Sequence, residues 1–409
     1  MPDTIPDTIP DAAAEMPRAA IAFQPERHRR VMAGHPWAYS NELELTQEAK
    51  AFEPGRLVTL ATANGEPIGT AMFNPRPLIS ARMITREVGV AIDRDFLAAR
   101  LERALALRQE LFDAPFYRLI HAEADGLPGL VIDRFGDVLV IQLNSAGIER
   151  LREPLLEACD RVLAPRAVVL RNDAPARASE GLATEVAVAR GTLDGPVELV
   201  ENGARFRADV IAGQKTGWFY DQRDNRAAVA RLASGRRVLD VFAYTGGFGV
   251  LAATRGAREA VLIDRSKPAL ALALESAALN DAAARCRTIE GEGFPTLERL
   301  AADGERFDIV VADPPAFVKS RKDLAVGIRA YRKLVRLAAA LVSADGFLFV
   351  ASCSHNVGAD AFAEQVCGGL SRARRSGRIL RAAGAAPDHP VHPFLPESAY
   401  LKSLLLQLD

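Results

Sequence analysis

The sequence predicts an α/β protein whose C-terminal half is a doubly wound, Rossmann-like sheet, preceded by a small β-rich domain and a central α+β domain. Three observations support this prediction. At 409 residues the chain is too long for one ordinary hydrophobic core. Short strand-like runs separated by turn residues fill its first part. After about residue 200, buried-strand runs alternate with helical stretches rich in Ala and Leu, as in a parallel sheet with helices on both faces.

Composition limits the possible functions. Apolar residues make up 49% and charged residues 25%, which is typical of a globular protein without a membrane partner. The net charge of −1 gives no global positive field, so a nucleic acid would have to be held by local patches. The four cysteines form no CxxC pair, which indicates a reducing, cytoplasmic compartment and no metal site. Residues 1–19 are acidic and lack an apolar core, so they predict a disordered tail rather than a signal peptide.

Residues 20–88 predict a small barrel or curled sheet. Val58 and Leu60 alternate with polar residues, and Asn64-Gly65 is a hairpin turn signal. The stretch "RHRRVMAGHPWAYSNE" offers Arg29 and Arg30 for phosphates and the Trp37 ring for base stacking, as single-stranded or looped RNA requires. The alternative is a solvated basic edge over a tryptophan anchored in the core. These residues alone favour neither interpretation.

Residues 89–200 predict a central α+β domain. The stretch from Asp93 to Phe112 has helical spacing of its apolar residues, and "LPGLVIDRFGDVLVIQL" reads as two strands around a turn at Gly136. Another helix and the strand "AVVLRND" follow. No catalytic pattern stands out, so we expect a spacer or a domain that shapes the substrate site.

Residues 201–409 predict the doubly wound sheet. Its buried-strand runs are "RRVLDVFA", "AVLID", "RTIEGE", "FDIVVADPP" and "GFLFVAS". Asp240 closes the first run, and Gly246 and Gly247 open the following helix, where free backbone N–H groups can meet a ligand. Asp264 closes the second run, where a carboxylate can accept the ribose hydroxyls of a nucleoside. These features predict NAD or S-adenosylmethionine, against the alternative that Asp264 only caps the next helix.

The fourth run favours S-adenosylmethionine. It ends in "ADPPAF", in which the prolines Pro314 and Pro315 lock an extended turn because neither donates a hydrogen bond. Asp313 and the carbonyls of this turn can hold the amino edge of a flat base, and Phe317 can stack on its face. Enzymes that methylate a planar nitrogen heterocycle need such a grip, and dehydrogenases do not. A purely structural Pro-Pro turn is the alternative.

Six stretches, in order, resemble the ribosomal RNA large-subunit methyltransferase I family: "RHRRVMAGHPWAYSNE", "DGLPGLVIDRFGDVLVIQL", "GQKTGWFYDQRDNR", "VLDVFAYTGGFGV", "ADPPAFVKSRKDL" and "ASCSHN". The resemblance runs from about Phe23 to Leu408. It implies a PUA-type RNA-binding domain, a central mixed domain and a class I methyltransferase sheet. It also implies methylation of cytosine C5 in 23S ribosomal RNA with S-adenosylmethionine as the cofactor, and it leaves open a homodimer.

The resemblance also implies which residues form the site. Those assigned to the cofactor, besides Asp240 and Asp313, are Tyr220, Asp221, Gln222, Arg223, Phe242, Tyr244, Thr245, Gly246, Gly247, Asp264, Arg265, Ser266, Glu292, Gly293 and Phe294. Asp264 would hold the ribose, Glu292 would lie near the adenine, and Asp313 would lie close to the reacting methyl group. The family usually has Asp where Glu292 stands.

The stretch "FLFVASCSHN" raises the question of whether Cys353 packs in the core or performs the chemistry. C5 of cytosine is a poor nucleophile, and a thiolate that adds to C6 makes C5 enamine-like. Cys353 ends the strand after the one that carries Asp313, so in a parallel sheet the two should be neighbours. We therefore expect Cys353 to be the nucleophile and Asp313 to be catalytic as well.

Some questions stay open in the sequence. Many RNA cytosine-C5 methyltransferases carry a second cysteine near the fourth-strand proline, where this chain has Ala316. The base that removes the C5 proton has three candidates by position, Asp313, Lys319 and His355. Two other functions compete: an RNA amino-methyltransferase, in which an exocyclic amine attacks directly, and a non-catalytic RNA-binding assembly factor. The nucleotide methylated, the form of the RNA substrate and the oligomeric state are not encoded in any motif.

Overall fold

The computed structural model describes residues 18–318 and 320–409, so the predicted disordered tail lies almost entirely outside the described residues. The first sheet has five strands in the order β1-β3-β4-β5-β2. Its elements are β1 (Ala20–Ala22), α1 (Arg29–Met32), β2 (Trp37–Tyr39), α2 (Gln47–Lys50), β3 (Arg56–Ala61), β4 (Pro67–Phe73) and β5 (Ile79–Thr85). The predicted hairpin turn joins β3 to β4, where Gly65 has the positive φ of 84° that such turns require.

A second five-stranded sheet forms the central part, in the order β10-β9-β8-β7-β6. Its elements are α3 (Arg94–Leu111), β6 (Phe116–His121), β7 (Leu130–Phe135), β8 (Val138–Leu143), α4 (Ala146–Arg150), α5 (Arg152–Leu163), β9 (Ala167–Asn172), α6 (Ala176–Glu180) and β10 (Glu185–Gly191). Asp93 caps α3 by accepting from the amides of Asp95 and Phe96. Helices α3 and α5 cover one face of this sheet with their buried leucines.

A two-stranded hairpin links the central part to the last sheet. Its strands are β11 (Val197–Glu201) and β12 (Ala204–Ala208), so the predicted domain division at residue 200 falls inside β11. Asn202 and Gly203 both have positive φ, the geometry of the tight turn that suits twisted strands. Leu199 and Phe206 pack in one core cluster with residues of β8 and of the last sheet. The hairpin therefore packs against both flanking sheets.

The last sheet has seven strands in the order β15-β14-β13-β16-β17-β19-β18. Its elements are α7 (Arg223–Ala230), β13 (Arg237–Val241), α8 (Gly247–Thr254), β14 (Glu259–Asp264), α9 (Lys267–Leu279), β15 (Cys286–Glu290), α10 (Gly293–Ala302), β16 (Phe307–Ala312), α11 (Leu324–Leu341), β17 (Val342–Ser352), α12 (Ala359–Ala373), β18 (Gly377–Ala383) and β19 (Lys402–Leu408). All five predicted strand runs are present and pair in parallel.

The sequence predicted a parallel sheet, and the last two strands depart from it. Strand β19 pairs antiparallel with both β17 and β18. A parallel return needs a crossover, usually through a helix, whereas residues 384–401 between β18 and β19 contain only a single 3₁₀ turn. The chain runs outward from β13 to β15 and then returns to β16, so the direction reverses between β13 and β16. Ligands of such sheets bind where the order reverses, beyond the carboxyl ends of the strands.

Among the helices of the described residues, none has the length and apolar character needed to cross a membrane.

Candidate active site

The loop that follows β13 has a strained backbone. Phe242 and Tyr244 adopt left-handed conformations, with φ of 66° and 50°, although neither is glycine. Such conformations cost free energy and persist where surrounding contacts enforce them. The amide of Tyr244 donates a 2.9 Å hydrogen bond to Asp264 Oδ2, and that of Ala243 donates to the Ile263 carbonyl. The end of β14 therefore holds this loop in a shape that a free peptide would avoid.

Two glycines at the start of α8 leave no room for side chains. Gly246 has a φ of 81°, and a Cβ atom there would lie 2.8 Å from the side chains of Leu262 and Val250. A Cβ atom on Gly247 would lie 2.5 Å from Nε of Arg226. The sequence predicted that these glycines let the backbone approach a ligand closely. In the structure, Gly247 also lets the Arg226 side chain pack against the first turn of α8.

Asp240 lies beneath this loop. Its side chain is 1% exposed, and Oδ2 accepts a 2.8 Å hydrogen bond from the Gly249 amide near the start of α8. Burial raises the pKa of Asp240 to about 7, against the opposing effect of the Gly249 hydrogen bond. The Asp240 carboxyl group holds the start of α8 through this hydrogen bond. A direct contact between Asp240 and the cofactor stays a prediction.

The Asp264 carboxylate holds the loop after β13 and has oxygen lone pairs left for a ligand. Oδ2 accepts from Tyr244 and Oδ1 accepts a 2.8 Å hydrogen bond from the Ser266 amide. Ser266 Oγ caps α9 by accepting from the Ala269 amide. The residue that caps this helix is therefore Ser266 and not Asp264. Each carboxylate oxygen of Asp264 keeps a further lone pair for a ribose hydroxyl. Arg265 is exposed beside it.

The segment from Tyr220 to Arg223 lies between the central sheet and the last sheet. Tyr220 donates a 2.9 Å hydrogen bond to the Arg134 carbonyl, and the Arg223 guanidinium lies 4.6 Å from the Phe112 ring centroid. Tyr220 and Arg223 are therefore engaged by the central part. Gln222 is buried, Asn225 Nδ2 donates a 2.7 Å hydrogen bond to its Oε1, and Gln222 opposes the rise that burial causes in the pKa of Asp313.

Asp221 is a buried carboxylate that stays ionised. It is 5% exposed, and Oδ2 accepts a 2.5 Å hydrogen bond from the Tyr400 hydroxyl. Burial alone would raise the pKa of Asp221, but His389, Lys215 and this hydrogen bond together lower it to about 2. The charge of Asp221 in turn raises the pKa of its neighbour Asp313.

Three buried polar atoms around the loop lack a hydrogen-bond partner in the described part of the chain. They are Asp221 Oδ1, Arg226 Nε and Thr245 Oγ1. Buried polar atoms are seldom left unpaired, so each of these three can bind a polar ligand, as can six other such atoms elsewhere in the described residues. An acceptor, a donor and a hydroxyl suit the charged amino-acid end and the ribose of S-adenosylmethionine. Arg226 was missed in the sequence, although it lies within "GQKTGWFYDQRDNR", the most specific of the six stretches.

The third strand end joins the same cluster. Glu292 is exposed where α10 begins, and its contact with the adenine stays a prediction. A Cβ atom on Gly293 would lie 2.5 Å from the Phe242 ring, so this glycine allows the two strand ends to meet. The rings of Phe294 and Phe317 are 5.8 Å apart. The ends of β13, β15 and β16 thus form one surface.

The "DPPAF" turn follows β16. Asp313 is half-buried, Pro314 is buried and Pro315 is exposed. Burial raises the pKa of Asp313 to about 7, the Asp221 charge adds to the rise, and Arg226 opposes it. The Phe317 ring lies 4.8 Å from the Tyr331 ring, so one of its faces already packs on α11.

The end of β17 and the loop after it carry a serine on each side of Cys353. Ser352 and Ser354 are fully buried, and both Oγ atoms lie 2.8 Å from the Tyr331 hydroxyl. Ser354 Oγ also accepts from the amide of Val318. Cys353, between the two serines, is half-buried. Its strand β17 pairs in parallel with β16, with Val350 opposite Ala312, so the two strands end side by side, and the Asp313 charge raises the pKa of the Cys353 thiol.

The four cysteines have different surroundings. Burial raises the pKa of Cys159 to about 12 and that of Cys286 to about 11. Cys367 is exposed on α12. Burial also raises the pKa of the Cys353 thiol, and Lys215 opposes that rise. Only Cys353 among them combines partial exposure with charged neighbours at the carboxyl ends of the strands.

The predicted RNA contacts in the first sheet are partly engaged elsewhere. Trp37 Nε1 donates a 2.8 Å hydrogen bond to Glu123, so this ring is anchored to the central part. Arg30 pairs with Glu42 at 2.9 Å. Arg29 is exposed, and among the described residues its ion pair is with the equally exposed Glu26. Of the three, Arg29 is the residue most available for a phosphate.

The other two predicted candidate bases, Lys319 and His355, stay predictions. Lys319 lies outside the described residues. Burial lowers the pKa of His355, whose ring centroid is 5.2 Å from that of Tyr400. In residues 18–318 and 320–409, no three His, Cys, Asp or Glu side chains are grouped to hold a metal ion.

Comparison with known proteins identifies the two outer parts. Residues 166–407 match the S-adenosylmethionine-dependent methyltransferase family, and residues 21–86 match the PUA-like domain. The chain is 36% identical over 393 residues to the ribosomal RNA large subunit methyltransferase I of Shewanella denitrificans, which covers 95% of this chain and 99% of that protein.

Two solved structures share the whole fold. One is a putative SAM-dependent methyltransferase from Streptococcus mutans, with a TM-score of 0.80, 21% identity and coverage of 95% of this chain and 100% of that one. The other is a putative methyltransferase complexed with SAH, with a TM-score of 0.80, 20% identity and coverage of 96% and 100%. The predicted fold class, the family resemblance and the choice of S-adenosylmethionine over NAD are confirmed.

Proposed function

The chain belongs to the ribosomal RNA large subunit methyltransferase I family of S-adenosylmethionine-dependent methyltransferases, and we propose that it methylates C5 of a cytosine in large-subunit ribosomal RNA through a covalent bond from Cys353. The name of the Shewanella relative supports the choice of RNA. The observation that carries the chemistry is the placement of Cys353 beside Asp313, at the carboxyl ends of neighbouring parallel strands.

The cofactor site is formed by the loops after β13, β14 and β15. Asp264 accepts the ribose hydroxyls, and the unpartnered Asp221 Oδ1, Arg226 Nε and Thr245 Oγ1 meet the polar groups of the amino-acid end. The bound cofactor supplies an electrophilic methyl group on a positively charged sulfur. Glu292, exposed at the start of α10, lies on the adenine side.

Cys353 activates the base. Its thiolate adds to C6 of the cytosine, a carbon–sulfur bond forms, and the electrons of the C5–C6 double bond move to C5. C5 then accepts the methyl group from the sulfonium sulfur, which leaves as a neutral thioether. The fixed loop of Cys353, tied through both flanking serines to Tyr331, keeps the sulfur at one position during these steps.

Asp313 completes the cycle as the base. A carboxylate takes the C5 proton, the double bond forms again, and the carbon–sulfur bond breaks to return the thiolate. A pKa of about 7 suits this role, because a general base works best near the operating pH. The carbonyls of the turn at Pro314 and Pro315 hold the amino edge of the base, and the half-buried Phe317 ring stacks on its face.

Two substrates test the proposal. Wild type, Cys353→Ala and the control Cys367→Ala are incubated with labelled S-adenosylmethionine and unmodified ribosomal RNA, and the labelled nucleoside is identified by mass. We expect 5-methylcytidine from wild type and the control and none from Cys353→Ala. RNA containing 5-fluorocytidine has no C5 proton to remove, so it should trap a covalent complex that Cys353→Ala does not form.

Other results would assign another function. A methylated exocyclic amine, or full turnover by Cys353→Ala, would indicate the amino-methyltransferase. Tight RNA binding without methyl transfer by wild type would indicate the assembly factor.

A further inference from the structure

An exposed phenylalanine from the methyltransferase part packs on the first sheet. Residues 384–401 join β18 to β19, and Phe394 lies in this connection. Its ring occupies the space beside Gly34, because a Cβ atom on Gly34 would lie 2.4 Å from Cε2 of Phe394. Gly34 also has a φ of 126°, which favours glycine. Although it packs on this turn, Phe394 remains 49% exposed.

The neighbours of Phe394 in the chain fix its position. The Leu395 amide donates a 2.9 Å hydrogen bond to the His392 carbonyl, and the His392 amide donates a 3.0 Å hydrogen bond to Ser398 Oγ. Leu395 itself is only 3% exposed. The connection therefore buries one side chain and presents the adjacent Phe394 ring to solvent. A ring held in this way loses little further conformational entropy when a ligand stacks on it.

The turn on which Phe394 packs carries positive charge. Helix α1 leads into Gly34, and the Ala33 amide donates a 2.9 Å hydrogen bond to the Arg29 carbonyl, so Arg29 is fixed to this turn. Arg29 is exposed, and so is Arg27, which forms no ion pair within the described residues. Two exposed cations and an exposed ring thus lie at one turn, although they come from opposite ends of the chain.

Phe394 supplies the ring that the sequence assigned to Trp37. The Trp37 indole is bonded to Glu123, and the Arg82 guanidinium lies 5.6 Å from its ring centroid. Single-stranded nucleic acid is bound by cations that follow the phosphates and by rings on which bases stack. With Trp37 engaged, Phe394 offers such a ring beside the exposed arginines. The positive charge of the turn complements phosphates, which favours RNA over a protein as the ligand.

The same connection leads into the candidate active site. Tyr400 follows Phe394 in it and donates a 2.5 Å hydrogen bond to Asp221. The ring of Tyr400 lies 5.2 Å from that of His355, in the loop that carries Cys353. Six residues of chain span at most about 22 Å, so Phe394 lies within that distance of Tyr400. A nucleotide stacked on Phe394 would therefore belong to the RNA next to the reacting base.

We infer that Phe394 stacks on an unpaired base of ribosomal RNA while Arg27 and Arg29 bind the neighbouring phosphates. This inference rests on the proposed function, from which it takes RNA as the substrate, and it adds a contact outside the pocket for the reacting cytosine. The turn at Gly34 and the connection between β18 and β19 each supply part of the surface. The first sheet and the methyltransferase part therefore hold the RNA together.

The test compares RNA affinity in full-length variants. Phe394→Leu fills much of the space beside Gly34 without an aromatic face, and Phe394→Tyr keeps the ring. Val186→Ala trims a comparably exposed apolar side chain, 44% exposed on β10 of the central sheet, and is the matched control. Binding of unmodified large-subunit ribosomal RNA is measured over a salt series, and S-adenosylmethionine affinity is measured in parallel.

We expect Phe394→Leu to weaken RNA binding on the order of fivefold to a hundredfold, because a base loses its stacking partner. The slope of affinity against salt should stay as in wild type, since no charge is removed, and S-adenosylmethionine affinity should not change. Phe394→Tyr and Val186→Ala should bind RNA as wild type does. Ultraviolet crosslinking of the wild-type complex, followed by mass spectrometry, should place a nucleotide on Phe394.

Wild-type RNA affinity in Phe394→Leu would overturn the inference, and so would an equal loss in Phe394→Tyr. A loss of RNA affinity together with S-adenosylmethionine affinity would also overturn it and make Phe394 a structural residue. Failure of the proposed function is a separate result, because RNA affinity is measured without methyl transfer. Methylation by Cys353→Ala would refute the proposed chemistry and leave the RNA affinities of the Phe394 variants as they are.

Discussion

The Tyr400 hydroxyl donates a 2.5 Å hydrogen bond to Asp221 Oδ2 across 179 residues of sequence. It ties the segment before β19 to the turn that carries the predicted cofactor residues. The other oxygen of Asp221 has no partner in the described chain, so this bond is the carboxylate's one side-chain hydrogen bond there. The segment that leads into β19 thus contributes to the site without carrying a motif of its own.

Removal of this hydroxyl should weaken the cofactor site. In Tyr400→Phe the pKa of Asp221 rises because a hydrogen bond to its charged form is lost, and we expect a loss of about 1–3 kcal/mol in unfolding free energy. Calorimetric titration should show weaker S-adenosylmethionine binding. Tyr117→Phe is the control: its buried hydroxyl accepts from Arg134 at 3.2 Å, away from Asp221, so stability should fall while affinity stays. Equal S-adenosylmethionine affinity in the two variants would contradict a role of the Tyr400–Asp221 hydrogen bond in cofactor binding.

Gly246 should tolerate no side chain. Gly246→Ala combines a positive φ with a Cβ contact of 2.8 Å to Leu262, so both α8 and the cofactor loop must shift. Gly65→Ala has nearly the same φ, 84°, with open space around it. We expect Gly65→Ala to cost about 1 kcal/mol of unfolding free energy and Gly246→Ala considerably more, with loss of cofactor binding. Denaturant unfolding of the two variants separates crowding from backbone strain. Similar losses would show that crowding contributes nothing.

Methyl transfer should depend on pH through Asp313. Burial and the Asp221 charge raise the pKa of Asp313 to about 7, and a base must be deprotonated. The rate should therefore rise with pH through about 7, and the raised pKa of the Cys353 thiol should extend the rise to higher pH. Asp313→Asn should remove the rise in rate near pH 7 and slow single turnover about 10²–10⁴-fold. S-adenosylmethionine affinity, measured in parallel, serves as the control. If the methyl-transfer rate of Asp313→Asn still rises near pH 7, another group is responsible for that rise.

Substitutions of Trp37 and of Arg29 should have different effects on stability and on RNA affinity. Trp37→Phe keeps the ring but leaves Glu123 without its 2.8 Å donor, so it should lower stability with little change in RNA affinity. Arg29→Ala removes an exposed charge, so it should weaken RNA binding and reduce the slope of affinity against salt by about one. RNA binding measured over a salt series distinguishes them. A large affinity loss in Trp37→Phe alone would restore the stacking role predicted from the sequence.

Local patterns were enough for much of the fold. The five parallel strands were predicted because buried strands between helices appear as continuous apolar runs. Asp240, Asp264 and Asp313 were found because each ends such a run, and parallel strands bring their carboxyl ends to one edge. The antiparallel β18 and β19 were missed, because strand direction depends on the connection and not on the composition of the strand.

The sequence by itself determined the family, the cofactor and the set of strand-end residues, because these follow from motifs whose members are close in the chain. Only the tertiary structure decided which of them share a pocket and in what state. It placed Tyr400 against Asp221, turned the serines beside Cys353 toward Tyr331, and anchored Trp37 on Glu123. Burial and long-range electrostatics set these properties, and both depend on which distant segments pack together.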